Sequence, residues 1–280
     1  MKDSFYNPSK QVIITCLILA FLCFVPFKLD SSGSKAAANY NAADQGMMSM
    51  LENHIQDIYY GSGLSSKGLS YHIFKFAMTG YYNTKREGLT AKHKKQLTII
   101  DFSKPSSEKR LYVIDLGTNR ILNHTWVAHG KNSGLVYARR FSNYHNSYQS
   151  SLGFFKTENT YYGNFGYSLR IDGLDVGFNH NAKDRSIVIH GAPYVGYEFV
   201  KRHGSSGLSW GCPALPLEEN RQIIDRIKMG SCLFAYSDNL DYLNSSKHLN
   251  FYTAAQYYNS TIPRYTSCLL YTSDAADDLW

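Results

Sequence analysis

The stretch from residue 96 to residue 237 contains seven short segments rich in β-branched and aromatic residues, separated by turn residues. Such residues favour strands, and no repeat, low-complexity run or long linker interrupts the stretch. Short strands at close spacing favour a mixed sheet sandwich or barrel over βαβ winding. We therefore expect a mainly β domain over 96–240. The predicted strands are LTIIDF (97–102), RLYVIDL (110–116), RILNHTWVAH (120–129), SLGFFKT (151–157), YSLRIDGL (167–174), SIVIHG (186–191) and SCLFAYS (231–237).

A few helices accompany these strands. Residues 39–95 are expected to form a helical lead, because residues 47–58 are apolar at helical spacing. A second helical face in this lead comprises Leu69, Ile73, Phe76, Ala77 and Tyr81. Residues 216–228 predict one further helix, and Gly117-Thr118-Asn119 predicts a hairpin turn between the second and third strands.

Composition excludes several classes of protein. Hydrophobic residues make up 44% of the 280 and charged residues 18%, which is too apolar for a disordered chain. The formal net charge of +7 favours contact with anionic envelope polymers or lipid head groups. It does not predict a nucleic-acid partner, because the sequence has no long Lys/Arg run and no nucleic-acid-binding motif.

Both ends of the chain are expected to lie outside the folded body. An apolar run over 12–27 follows Lys2 and Lys10, and residues 1–38 predict a secretory signal or a membrane anchor through 11–27, with a linker. At the other end, CLLYTSDAADD (268–278) resembles the translation of a common sequencing adapter. We interpret 268–280 as an artefact and 241–267 as an incomplete C-terminal segment.

Two of the five cysteines belong to the predicted body. Cys232 lies in an apolar strand segment, which indicates a packing role. In an exported protein, Cys232 and Cys212 would also be able to form a disulfide. No Cys-x-x-Cys motif is present, and no His or Cys cluster has the spacing of metal ligands. The sequence therefore predicts neither a metal nor a cofactor.

The candidate chemistry lies in SIVIHGAPYVGYEFVKRHGSSGLSWGCPAL (186–215). His190 ends a predicted strand, and Cys212 follows a loop rich in Gly and Ser. A thiol becomes a strong nucleophile on losing its proton, which a nearby imidazole can accept. The amides of Gly211 and Cys212 are placed to face a developing oxyanion. Spacing alone is equally compatible with a structural His and a structural Cys before Pro.

The whole string resembles the catalytic signature of the murein L,D-transpeptidase catalytic domain family, the YkuD-like cysteine transpeptidases. The resemblance covers roughly residues 66–237 and implies the mixed β-sandwich or barrel of that family. Further segments in matching order carry it: IDFSKPSSEKRLYVIDL, VAHGKNSG, SNYHNSYQSSLGFF, GYSLRIDGLD and NAKDRSIVIHGAPYV.

The resemblance implies a role for several residues. Cys212 would be the nucleophile and His190 the general base, with Gly211 and Cys212 supplying oxyanion amides. Ser209 would support the His or the loop, and Gly191 would allow close approach behind the base. Tyr194 would line the substrate pocket or only pack against it. His129, in a second His-Gly pair, would be a pocket residue or a turn-supporting one.

This chain departs from the family pattern near the nucleophile. Trp210 stands where a His is common, Ser205 and Leu208 where this branch commonly has Arg, and Ala214 where many relatives have Arg. Recognition of the substrate carboxylates therefore does not carry over from those positions. Candidate substitutes are Arg202, Arg185, Arg170 and His203.

The implied reaction is acyl transfer from a peptidoglycan tetrapeptide stem, with D-Ala released, to an amine acceptor in the cell wall. It would occur on the periplasmic side of the envelope. Transfer to water would instead make the chain an L,D-carboxypeptidase. The sequence is also compatible with a non-catalytic peptidoglycan-binding module or with a thiol hydrolase of another fold.

Overall fold

The computed structural model describes residues 40–262. The predicted leader or anchor over 1–38 and the predicted adapter tail over 268–280 lie outside these residues. Within them the chain forms one eight-stranded mixed sheet. Its strands are β1 Gln96–Asp101, β2 Leu111–Asp115, β3 Arg120–Thr125, β4 Gly153–Gly163, β5 Gly166–Gly173, β6 Val188–Ala192, β7 Ala214–Pro216 and β8 Cys232–Tyr236.

The strand order is β3-β2-β1-β8-β4-β5-β6-β7. The pairs β1–β8 and β6–β7 are parallel, and the other neighbours are antiparallel. Ala128, three residues beyond β3, forms an antiparallel bridge with Ala214 in β7. The chain leaving one edge strand thus meets the other edge strand, which bends the sheet towards a barrel and confirms the mainly β mixed fold.

The helices are α1 Ala42–Gly61, α2 Tyr71–Arg86, α3 Tyr197–His203, α4 Leu217–Ile227, α5 Leu240–Ser245 and α6 Phe251–Thr261, with short 3₁₀ turns at Ser65–Lys67 and Lys247–Leu249. In the helical lead, α1 and α2 both pack against α6, and α2 also packs against β1 and β8. Among residues 40–262, no helix combines the length and the apolar character needed to span a bilayer.

The core lies around the central strands β1 and β8. Every residue of β8 is buried, and so is every residue of β1 except the first. Such near-continuous apolar strands are typical of a sheet covered on both faces. Helix α4, which packs against β1, β5 and β6, buries Ile223, Ile224 and Ile227.

The predicted elements are confirmed with differences at their ends. All seven predicted strand segments contain a strand, and Asn119 has a φ of 52° in the predicted hairpin turn. The strand predicted over 120–129 ends at Thr125, because the chain then turns towards β7. The periodicity does not predict strand β7 or helices α3, α5 and α6.

Candidate active site

Cys212 lies at the end of the loop between α3 and β7, and it is partly exposed. Within the described residues, its Sγ accepts a hydrogen bond from the Val188 N–H at 3.5 Å and donates to the Ser186 carbonyl at 3.8 Å. The thiol is thus fixed beside the first residue of β6. Cys212 and Cys232 are both free, so the disulfide left open by the sequence is not formed. Burial raises the pKa of Cys232 to about 12, which keeps that thiol protonated.

Ser209 determines the shape of the turn that presents Cys212. Its hydroxyl donates to the Cys212 carbonyl at 2.6 Å and accepts from the Gly211 N–H at 3.1 Å. Gly211 has a φ of 122°, and a Cβ there would lie 2.8 Å from the Gln149 carbonyl oxygen. Of the two backbone amides expected to face the oxyanion, that of Gly211 already donates to the Ser209 hydroxyl. The Cys212 N–H has no hydrogen-bond partner within residues 40–262.

His190 lies in the middle of β6 and is 2% exposed. Its Nδ1 is 3.0 Å from the Gly191 carbonyl oxygen, which can only accept, so Nδ1 carries the proton and Nε2 remains a base. Phe165, from the turn between β4 and β5, stacks on the imidazole at 4.4 Å between centroids. Burial lowers the pKa of His190 below its ordinary value, so the ring is neutral at pH 7.

The strand register brings His190 and Cys212 to neighbouring positions. His190 pairs with Ala214, and Cys212 lies two residues before Ala214, an offset of about 7 Å along the strand. Burial raises the pKa of the Cys212 thiol, while the Val188 N–H and the Arg185 charge oppose that rise. The resting pair is therefore a neutral thiol and a neutral imidazole, and the thiol must lose its proton during attack.

Arg185 contributes to this site more directly than the sequence indicates. Its guanidinium spans the loop 142–151 and stands next to Ser186, whose carbonyl contacts Sγ. It donates to the carbonyl oxygens of Ser142 and Gln149 and to the hydroxyls of Ser147 and Ser151, at distances of 2.5 to 3.1 Å. The Gln149 carbonyl in turn faces Gly211. Arg185 thus holds the loop against the nucleophile and places a positive charge near the thiol.

Replacing Arg185 with Met is expected to raise the pKa of Cys212, because a nearby cation favours the thiolate. The measurement is the pH dependence of iodoacetamide labelling at Cys212, resolved by peptide mass spectrometry. Arg185→Lys retains the charge and should largely retain the wild-type profile. Arg226→Met is the matched control. Arg226 also donates a hydrogen bond to a backbone carbonyl, but to that of Leu122 on β3 and not to the loop beside the nucleophile. An unchanged profile in Arg185→Met would rule out the electrostatic role.

The predicted pocket role of His129 is wrong. His129 is fully buried, its Nδ1 accepts from Arg110 at 2.7 Å, and its Nε2 donates to the Gly134 carbonyl at 3.0 Å. Both ring nitrogens are occupied, so the ring has no polar atom left for a substrate. Its backbone carbonyl accepts from the Ser209 N–H at 2.9 Å. His129 is therefore a turn-supporting residue beneath the nucleophile loop, which is the second of the two roles that the sequence left open.

His129 should make the protein less stable in mild acid. Burial, with Arg110 adding to it, lowers its pKa from 6.5 to about 4. Between these values the unfolded chain binds a proton that the folded protein excludes, so the free energy of unfolding falls as pH falls. The loss reaches about 3 kcal/mol from this residue. Urea unfolding at pH 7 and pH 4.5 should show a shallower pH dependence in His129→Gln, whereas the matched His93→Gln, at an exposed position, should retain the wild-type slope.

The remaining predicted binding residues differ in exposure. A Cβ on Gly191 would lie 3.0 to 3.1 Å from Leu217 and Asn220, so glycine permits the close approach of α4 behind the base. Tyr194 is half-buried, and burial raises the pKa of its hydroxyl, as would the negative charge of a Cys212 thiolate. Arg202 is exposed in the last turn of α3.

A family model described as the L,D-transpeptidase catalytic domain matches residues 65–236. The chain belongs to this family. The matched L,D-transpeptidase domain includes β1 to β8 and the residues around Cys212 and His190. Among residues 40–262, no group of three or more His, Cys, Asp or Glu side chains is placed to hold a metal ion.

Solved structures resemble this L,D-transpeptidase-family chain in fold. An L,D-transpeptidase from Mycobacterium smegmatis has 15% identity and a TM-score of 0.32, with 51% of this chain and 59% of that chain covered. The helical cell shape determining protein Pgp2 from Campylobacter jejuni has 11% identity and a TM-score of 0.37, with 65% and 63% covered. The chain thus spans less than two thirds of either structure. A search of curated proteins finds no match.

Proposed function

We propose that this chain is a peptidoglycan L,D-transpeptidase in which Cys212 is the nucleophile and His190 the general base. The observation that carries the proposal is the fixed pairing of β6 with the nucleophile loop. It holds the thiol beside Val188, and two residues further along β6 lies an imidazole whose Nδ1–H is bonded to the Gly191 carbonyl. Family membership supplies the reaction class, acyl transfer at a cysteine.

In the first step Sγ attacks the carbonyl carbon of the third stem residue while Nε2 of His190 accepts the thiol proton. The carbonyl oxygen becomes an oxyanion, for which the Cys212 N–H is the available donor. Collapse of this intermediate breaks the bond to D-Ala, and His190 returns its proton to the leaving amine. The product on the protein is a thioester at Cys212.

In the second step an amine of a neighbouring stem attacks the thioester carbonyl. His190 accepts a proton from that amine and returns one to Sγ as the thioester breaks, which restores the neutral pair. The acceptor distinguishes a transpeptidase, which uses an amine, from an L,D-carboxypeptidase, which uses water. We place the reaction on the periplasmic side of the envelope, to which the apolar segment at 11–27 would direct or anchor the chain.

The test incubates the chain with a disaccharide tetrapeptide and an excess of an amine-bearing acceptor stem, and follows D-Ala and the products by mass spectrometry. The proposal predicts D-Ala in step with a cross-linked dimer. Release of D-Ala with free tripeptide as the only other product would contradict the proposal and identify the chain as an L,D-carboxypeptidase. Binding of the substrate without D-Ala release would replace it with a non-catalytic binding module.

A further inference from the structure

The turn between β4 and β5 places an exposed aromatic ring against the buried histidine of the candidate active site. Phe165 is 59% exposed, whereas His190 is 2% exposed. Their ring centroids lie 4.4 Å apart and their planes are 23° from parallel, which is a stacked arrangement. One face of the phenyl ring therefore meets solvent while the other covers the imidazole, so Phe165 separates His190 from water on that side.

Backbone pairing fixes the place of Phe165. Gly163 pairs with Gly166, so Phe165 is one of the two residues of a tight turn. Gly166 has a φ of 72°, in the left-handed region that glycine adopts without strain. From this turn β5 runs directly to Ser168, which pairs with His190 on β6. Neighbouring strands of one sheet thus carry the phenyl ring and the imidazole.

Two tyrosines next to the turn hold the hairpin against helix α4. The Tyr162 hydroxyl accepts a hydrogen bond from Arg221 at 2.5 Å, and the Tyr167 hydroxyl donates to Asp225 at 2.7 Å. The Arg221 guanidinium also lies over the Tyr167 ring, 4.6 Å from its centroid. Because α4 packs against β6 as well, the same helix supports the histidine strand and the aromatic turn.

The imidazole is oriented by few contacts of its own. Within residues 40–262 its ring makes one hydrogen bond, from Nδ1 to the Gly191 carbonyl. That bond fixes the direction of the N–H, but it does not prevent the ring from tilting about that direction. A stacked aromatic ring opposes the tilt, because tilting loses the contact between the two faces. Phe165 therefore supplies the orientation that the hydrogen bond leaves open.

The groups that face His190 from the adjacent strands carry no charge, since they are Ser168 on β5 and Ala214 on β7. Paired residues point to the same side of a sheet, so Arg170 is the first charged residue of β5 on that side. Its guanidinium lies over the Tyr161 ring, 4.1 Å from the centroid. The charges of α4 next to the hairpin are bonded to its tyrosines, and the thiol of the nucleophile loop is neutral. Burial, to which the stacked ring contributes, is accordingly the main cause that lowers the pKa of His190.

We propose that Phe165 is the positioning residue of the general base, because its ring fixes the plane of the His190 imidazole and shields one face from water. The inference rests on the proposed function, in which His190 accepts the proton of Cys212. It assigns to an exposed turn residue an effect on the reaction that acts through the histidine alone. An imidazole held in one plane presents Nε2 in one direction, as proton transfer requires.

The first test observes the imidazole without turnover. The ring Cε1–H signal of His190, assigned with His190→Gln in a chain labelled with ¹³C in histidine, is followed as the pH is lowered from 8. In Phe165→Ala the pKa of His190 should rise from its lowered value towards 6.5, because water reaches the uncovered face. Phe165→Tyr retains a ring and should titrate like the parent. Tyr162→Ala is the matched control, since it removes from the same hairpin a 69% exposed ring that lies against Tyr167, and it should also titrate like the parent.

The second test measures the rate of D-Ala release from the tetrapeptide stem across the same pH range. Phe165→Ala should shift the acid limb of the profile to higher pH and lower the plateau rate roughly two- to tenfold, and Phe165→Tyr should restore both. An unchanged His190 titration and plateau in Phe165→Ala, or the same changes in Tyr162→Ala, would overturn the inference. A parent that shows the NMR response but releases no D-Ala would instead contradict the proposed function, so the two failures give different results.

Discussion

Cys212→Ala is expected to abolish D-Ala release from a tetrapeptide stem completely. The covalent step needs a sulfur at this position, and the second cysteine of the described body cannot replace it. Cys232 is fully buried, and its thiol remains protonated with a pKa raised to about 12. The methyl group of alanine fits the space that the thiol leaves, so circular dichroism and thermal unfolding should remain close to those of the parent.

The matched control is Cys232→Ala. It removes a buried sulfur from β8, which should lower stability slightly while D-Ala release continues. Release from Cys212→Ala at the parent rate, or loss of release only in Cys232→Ala, would show that the nucleophile has been misassigned.

His190→Gln is expected to lower the acylation rate at pH 7 by roughly 10²- to 10⁴-fold. Both resting groups are neutral, because burial lowers the pKa of His190 and raises that of Cys212. Without the imidazole, attack depends on the small fraction of free thiolate. Glutamine retains a side-chain amide near the Gly191 carbonyl, so the loss should reflect the missing base and not a disordered strand.

The pH profile separates the base from a structural role. In the parent, acylation should fall as pH drops through the pKa of His190, which lies below 6.5, and should be level above it. In His190→Gln that acid limb should disappear, and the rate should continue to rise with pH as the thiol ionises. His93→Gln, at an exposed position, should retain the parent profile. An unchanged acid limb in His190→Gln would exclude His190 as the base.

Local sequence pattern predicts the sheet segments and the helical faces because each is determined by neighbouring residues. Strand β7 is not predicted because its three residues are too few to show a periodicity. It is defined by its pairing with β6 and with Ala128. Helix α6 has two pairs of adjacent aromatic residues separated by small and polar ones, and it packs against α1 and α2. Short elements of this kind depend on tertiary contacts.

The site residues likewise fall into those that a local sequence pattern identifies and those that only tertiary contacts reveal. His190 and Cys212 are identifiable from a linear string, because one strand and one loop carry them. The sequence suggests Arg185 only as a possible carboxylate ligand, since its bonds reach Ser142 and Gln149 on a loop some forty residues earlier. The pairing of His129 with the fully buried Arg110 is likewise invisible in the sequence, and it removes that histidine from the substrate pocket.

The measurement that tests the central claim most directly is peptide mass spectrometry of the chain after treatment with a carbapenem, a β-lactam that acylates nucleophilic cysteines. We predict one covalent adduct of the carbapenem mass on the peptide that contains Cys212. The peptide that contains Cys232 should remain unmodified, and no adduct should form in Cys212→Ala. The absence of any adduct on the folded parent, or an adduct that persists in Cys212→Ala, would contradict the assignment of Cys212 as the acyl-accepting nucleophile.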